Sequence, residues 1–221
     1  IKGFEMEFVV IGNPNNEADN TGYGAVSYTY RIGKHEVSEA IIDAYNKRSR
    51  GAKITKDTRG ANKPATSVSW NEAARFVNWL NTSQGHQAAY KFADKEELSN
   101  IELWNKEEAW QLGGENLYRH KDAHYFLPSE NEWYKAAYYD PKANDGKGGY
   151  WDYATGSDEA PEAVASGSQA GTAVYGNTIL TPIPQTQVAQ APTAPWPRMA
   201  TPGTGSRARE VASMILLFMN A

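Results

Sequence analysis

Two stretches of the chain carry apolar residues at helical spacing, and the same polar signal announces both. Trp70, Ala73, Ala74, Val77 and Leu80 recur every three or four residues, which predicts a helix over residues 70–80. Ser69 stands at its start and Glu72 three residues on, the pair that forms a capping box by exchanging bonds with each other's backbone amides. Ser129 and Glu132 repeat the device ahead of a second helix that buries Trp133, Ala136 and Ala137 and stops near Asp140 and Pro141. A shorter helix is expected from about Ser38 to Asn46. Phe4 to Ile11 alternates and then turns apolar, which suits a strand ended by Gly12-Asn13-Pro14. Tyr28 to Val37 alternates as a half-buried strand does, and Ala123 to Phe126 has the same character.

Between the two capped helices, Asp94 to Glu115 is charged and helix-prone. With Leu98, Ile101, Leu103, Trp104 and Trp110 it reads as an excursion packed on the core. From Asn144 to Thr172 the chain is rich in Gly, Ala, Ser and Asp, so irregular backbone is expected around the aromatic cluster of Tyr150, Trp151 and Tyr153. After Leu180 come Pro182, Pro184, Pro192, Pro195, Pro197 and Pro202, through which no helix or central strand can run. Residues 1–180 therefore form the expected domain and 181–221 an atypical tail. The apolar run Met214 to Met219 is far shorter than the ~20 residues that cross a bilayer, so no transmembrane segment is expected.

Composition narrows the chemistry more than the fold. A chain of 221 residues holding 13 tyrosines and 7 tryptophans calls for an aromatic-rich interior. Its formal charge of −4 argues against nucleic acid as a partner and against a polybasic membrane anchor. There is no cysteine, which excludes disulfides, thiolate metal sites and any cysteine nucleophile or redox pair.

Several clusters could carry a site. His120 and His124 have the spacing of paired metal ligands on a helix, but the alternation around them is that of a strand, and the strand reading is preferred. Asp140, Asn144 and Asp145 gather oxygen ligands beside Gly146, as calcium loops do, although turn chemistry alone selects the same residues. Tyr139, Tyr150, Trp151, Asp152 and Tyr153, with Tyr138 and Asp158 nearby, could line an aromatic groove for a protein, peptide or glycan ligand. Core packing explains most of these rings equally well. No Gly-x-Ser-x-Gly turn supports serine hydrolysis, and the glycines at 146, 148 and 149 lack the following Gly-Lys-Thr of a phosphate loop.

The segment Pro64-Ala65-Thr66-Ser67-Val68-Ser69-Trp70-Asn71-Glu72-Ala73-Ala74 resembles a signature of the formylglycine-generating-enzyme, or sulfatase-modifying-factor, family. Phe126-Leu127-Pro128-Ser129-Glu130-Asn131-Glu132-Trp133-Tyr134-Lys135-Ala136-Ala137 resembles that family's second signature, and Tyr30 to Ser38 its early strand. The resemblance spans about residues 4–177. It implies an α+β fold related to C-type lectins, with little regular structure, two main helices, small antiparallel sheets and buried aromatics. It also implies an extracytoplasmic or secreted location.

Departures from the family decide the functional expectation. The family's oxidase holds copper through two late cysteines, so copper bound in that way is not possible here. Its iron enzymes use clustered histidines, and this chain offers only His35, His86, His120 and His124. The expected role is a recognition or structural module. The alternative is the amino-terminal part of a metal-dependent oxidase acting on a peptide or sulfatase side chain, with the catalytic end missing. A shifted reading frame after about residue 180 is the expected cause of the lost family pattern: if Pro192 to Trp196 are taken as the permitted codons CCU ACG GCA CCA UGG, reading from the third base gives Tyr-Gly-Thr-Met. On that expectation, deleting residues 185–221 leaves the fold largely unchanged.

Overall fold

The computed structural model describes residues 5–94, 100–110, 115–164, 169–173 and 218–220. In chain order the elements are β1 (Phe8–Ile11), β2 (Tyr30–Gly33), α1 (Glu39–Arg48), α2 (Trp70–Thr82), β3 (Lys91–Phe92), β4 (Ile101–Glu102), β5 (Ala109–Trp110), β6 (Asn116–His120) and β7 (Tyr125–Phe126). Then follow α3 (Glu130–Tyr138), β8 (Tyr139–Asp140), the short turn α4 (Ala143–Gly146), β9 (Gly149–Tyr150), β10 (Glu162–Ala163), β11 (Thr172–Ala173) and β12 (Phe218–Asn220). This is a mixed α+β fold with little regular structure. The chain divides into two compact units, one of residues 1–10, 30–127 and 208–221, the other of residues 11–29 and 128–207.

The first unit is built on a sheet of order β1-β2-β12-β7. Its apolar interior includes Tyr30 and Ile32 of β2, Ile42 of α1, Phe76, Val77 and Leu80 of α2, and Phe126 of β7, all fully buried. Ser38 caps α1 by accepting from the Ile41 amide. Ser69 and Glu72 make the reciprocal capping box of α2, as their spacing predicts. The strands are short, so side chains close many backbone bonds. Asn81 is fully buried at the end of α2; its Nδ2 donates to the Tyr125 carbonyl at 2.9 Å, and its Oδ1 accepts from the amides of His124 and Tyr125, each at 2.9 Å. That one side chain fastens β7 to the helix. Arg119 is buried likewise, donating to the Leu127 carbonyl at 2.6 Å with its guanidinium over the rings of Trp110 and Phe126.

Two buried carboxylates in this unit behave in opposite ways. Burial alone would raise the Glu39 pKa, but bonds from the Arg59 and Gly60 amides and from Lys56 outweigh it and hold the group below its ordinary range. For Glu36 burial wins over its own backbone amide and the Arg59 charge, and the pKa is pushed up to about 7.

Several expectations need correction. Trp70 is 38% exposed at the mouth of α2 and touches Tyr90 edge-on, so the ring that fills the core is Phe76. Position 70 is the first residue of the helix, and its side chain lies at the end of the apolar stripe rather than along it. Trp133 is only half-buried, while its neighbours Tyr134, Lys135 and Tyr138 go inside. The excursion after Asp94 holds the short strands β4 and β5 among its described residues instead of a helix; Leu98 lies outside them. Most of the proline-rich tail, including every proline after Leu180, also lies outside the described residues. Its last strand does not stand apart: β12 sits between β2 and β7, with Phe218 opposite Ile32 and Phe126, and Met219 opposite Arg31 and Tyr125.

Two predictions follow from these contacts. Deleting residues 218–221 strips the pairing partner from both β2 and β7, and thermal unfolding should show a cooperative loss of stability; an unchanged melting curve would mean that β12 is dispensable. Glu36 keeps its proton in the folded chain up to about pH 7, whereas the unfolded chain loses it near 4.5. Stability from this group is thus fully present below pH 4.5 and is lost as pH rises to 7, by roughly 3 kcal/mol. Glu36→Gln should therefore melt higher than the parent at pH 8 and close to it at pH 4.5.

Candidate functional site

The second unit gathers the aromatic residues that the sequence marks as a site. α3 begins at Ser129, whose side chain accepts from the Glu132 amide while Glu132 Oε2 accepts from the Ser129 amide at 2.6 Å. Glu132 is also fully buried, and its other oxygen accepts from the Tyr28 hydroxyl at 2.6 Å. The cap of the helix is thereby tied to the segment 11–29, a link that capping rules alone do not reveal.

From this anchored helix a cluster of rings is laid down. Tyr134, Ala137, Tyr138 and Ala154 form the buried centre, with Tyr23, Trp133 and Tyr150 packed against it. The β8–β9 pairing sets Tyr139 opposite Tyr150, and their rings meet edge-to-face at 5.1 Å. Tyr150 in turn lies 5.7 Å from Tyr134. Each hydroxyl is engaged by the 11–29 segment. Tyr134 donates to Asp19, Tyr139 accepts from Asn13, and Tyr150 accepts from Asn16 at 2.6 Å and donates to the Glu17 carbonyl at 2.9 Å. Burial, then the Asp19 bond, pushes the Tyr134 pKa up to about 12, and burial also raises that of Tyr150.

Gly24 and Gly148 have positive φ angles of 93° and 85°, and a Cβ at either would strike the hydroxyl end of Tyr150 or Tyr139 respectively. The two tyrosines are therefore seated against backbone and act as a wall rather than as free contact groups.

Trp151 differs from them. Its amide donates to the Tyr138 carbonyl at 3.0 Å, yet its half-buried indole has no ring neighbour and its N–H no partner among the described residues. Exposed Asp152 follows, and its amide donates to Asp158 Oδ1 at 3.1 Å, closing a loop in which Tyr153 bridges to Ser157. Tyr150, Trp151, Asp152 and Tyr153 follow one another along the chain, with Tyr139 opposite Tyr150 on the paired strand of the same unit.

The remaining sequence-marked residues are placed as follows. Asp140 Oδ1 accepts from the Lys142 amide at 2.8 Å, and Asn144 Nδ2 donates to the Gly148 carbonyl at 3.1 Å. Asn144 and Asp145 both occupy the left-handed region that turn residues tolerate best. Among the described residues, no three His, Asp or Glu side chains converge as a metal site. His120 lies against Trp104 and His124 against His86, so the two histidines of the four-residue spacing take different partners.

Sequence reasoning missed Lys135. It is 1% exposed on α3, bonded among the described residues to the Asn13 carbonyl at 2.9 Å, with the Tyr139 ring 5.7 Å from its Nζ. Burial lowers its pKa to about 8. Its place between Tyr134 and the Ala136-Ala137 pair was the signal available.

The pattern of the Sulfatase-modifying factor enzyme 1-like domain matches residues 2–189. The chain belongs to this family. Among solved structures it is similar to CarF, at 23% identity and a TM-score of 0.39 over 60% of this chain and 57% of that one. It is also similar to variable protein 1 of Treponema denticola, at 18% identity and a TM-score of 0.39 over 62% of this chain and 54% of the other. The chain thus spans little more than half the length of either. No curated protein matches it. Among the described residues, no helix is long and apolar enough to cross a membrane.

Lys135 yields a prediction whose sign is opposite to that of Glu36. Between about pH 8 and its ordinary value of 10.5 the unfolded chain binds the proton that folded Lys135 has released, so stability rises with pH there. Denaturant unfolding at pH 8 and pH 10 should show a gain of about 2 kcal/mol in the parent, and Lys135→Met should flatten it.

Proposed function

We propose that this domain is a recognition module whose contact surface is the loop Trp151 to Asp158, backed by the wall of Tyr139 and Tyr150. The observation that carries the reading is the contrast among the rings. Tyr134, Tyr139 and Tyr150 spend their hydroxyls on the 11–29 segment, whereas the Trp151 indole keeps an open ring and N–H beside exposed Asp152. An aromatic ring next to a carboxylate offers a stacking face and hydrogen-bond acceptors together, which suits the hydroxyl-rich face of a glycan or the polar side chains of a peptide. The absence of cysteine supports binding over oxidation, because copper held by a thiolate pair has no ligand here. The same reading assigns the domain an extracytoplasmic place.

Calcium on Asp140, Asn144 and Asp145 belongs to this proposal. Asp145 and the second oxygen of Asp140 have no partner among the described residues, and the turn stands next to β9, which leads into Trp151.

The test is binding of the purified chain to glycan and peptide arrays, with calcium and with chelator, beside the variant Trp151→Ala. That variant should melt like the parent and lose at least about tenfold in affinity. Retained binding in the variant would refute the assignment. Stoichiometric copper or iron together with oxidation of a peptide side chain would replace it with the oxidase reading.

A further inference from the structure

Asn81 does more than fasten β7. Its main-chain oxygen accepts from the His86 amide at 3.0 Å, and its side-chain oxygen accepts from the His124 amide at 2.9 Å. One buried residue therefore fixes the backbone of two histidines from distant parts of the chain. Their rings face each other with centres 4.8 Å apart and planes inclined by 22°. His86 is exposed and His124 half-buried, and the Tyr125 ring meets His124 edge-on at 4.9 Å.

The groups facing this pair come from three elements. β2 contributes the positive charge of Arg31, the turn after α2 contributes His86, and β7 contributes the neutral Tyr125. Among the described residues, no carboxylate pairs with either ring. Two neutral imidazoles stack without penalty. Two imidazolium ions at this separation repel, and a charged half-buried ring also loses solvation.

We propose that His86 and His124 form an acid-sensitive clasp that frees β7 from the end of α2 when both rings take up protons. The direction agrees with the titration of His124, which burial, then His86, then Arg31 lower below 6.5. For a base with a lowered folded pKa, stability is fully present above the unfolded value and is lost as pH falls through that value toward the folded one. The consequence reaches the sheet, because β7 is the strand against which β12 closes.

Glu36 works in the opposite sense over an overlapping range, so the test compares variants at each pH. Histidine titration by NMR on the full chain should place the His124 midpoint below 6.5, and His86→Ala should move it upward. Amide-exchange protection across β7 should drop about tenfold from pH 7.5 to pH 5 in the parent, and not in His124→Phe, which keeps the stack without the charge. A His124 midpoint at or above 6.5, a midpoint indifferent to His86→Ala, or the same loss of protection in His124→Phe would each overturn the clasp. Because His86 is exposed, its replacement leaves the core untouched and reads the interaction even if the phenylalanine variant folds poorly.

Discussion

Buried backbone needs hydrogen-bond partners, and in this chain side chains supply many of them. With strands of two to five residues, ladders satisfy only part of the interior backbone. Asn81 takes on β7, Glu39 the loop at Arg59 and Gly60, and Asn16 the Gly24 carbonyl and the Val26 amide. Each is a buried polar group whose desolvation is tolerable only because its bonds are made. The same logic explains why loss of any one partner would leave the other stranded at a cost of about 1–3 kcal/mol.

Charged interior groups extend this arrangement and make it pH-responsive. Donors around Glu39 hold its carboxylate in the charged form, whereas for Glu36 and Lys135 burial is the larger effect and shifts both toward neutrality. The raised Glu36 and the lowered His124 act on stability in opposite senses, while Lys135 acts at higher pH. A measured stability curve is therefore a sum whose parts only variants can separate.

The functional reading depends on which aromatic residues are already occupied. In the second unit the 11–29 segment binds the hydroxyls of Tyr134, Tyr139 and Tyr150, so these rings hold shape. Trp151 emerges from the same strand as Tyr150 without such a tether. Family membership supplies the scaffold, and a scaffold of this sort does not fix a reaction. Chemistry resides in individual side chains, and here the sulfur ligands of the family's oxidase are missing from the sequence.

Local pattern was enough to determine the two capping boxes, α1 to α3, and the signatures of the family, because capping and helical spacing involve residues within four positions of each other. The aromatic residues at 150, 151 and 153 were legible for the same reason, and the absence of cysteine from composition alone. Only the tertiary structure decided that Phe76 fills the core while Trp70 stays at its edge, that β12 closes between β2 and β7, and that His124 faces His86 rather than His120. It also decided the burial of Lys135 and the tethering of the tyrosine hydroxyls to Asn13, Asn16 and Asp19. These are contacts between residues tens to more than a hundred positions apart, and a sequence carries no local periodicity that records which distant partner will satisfy a buried donor or acceptor.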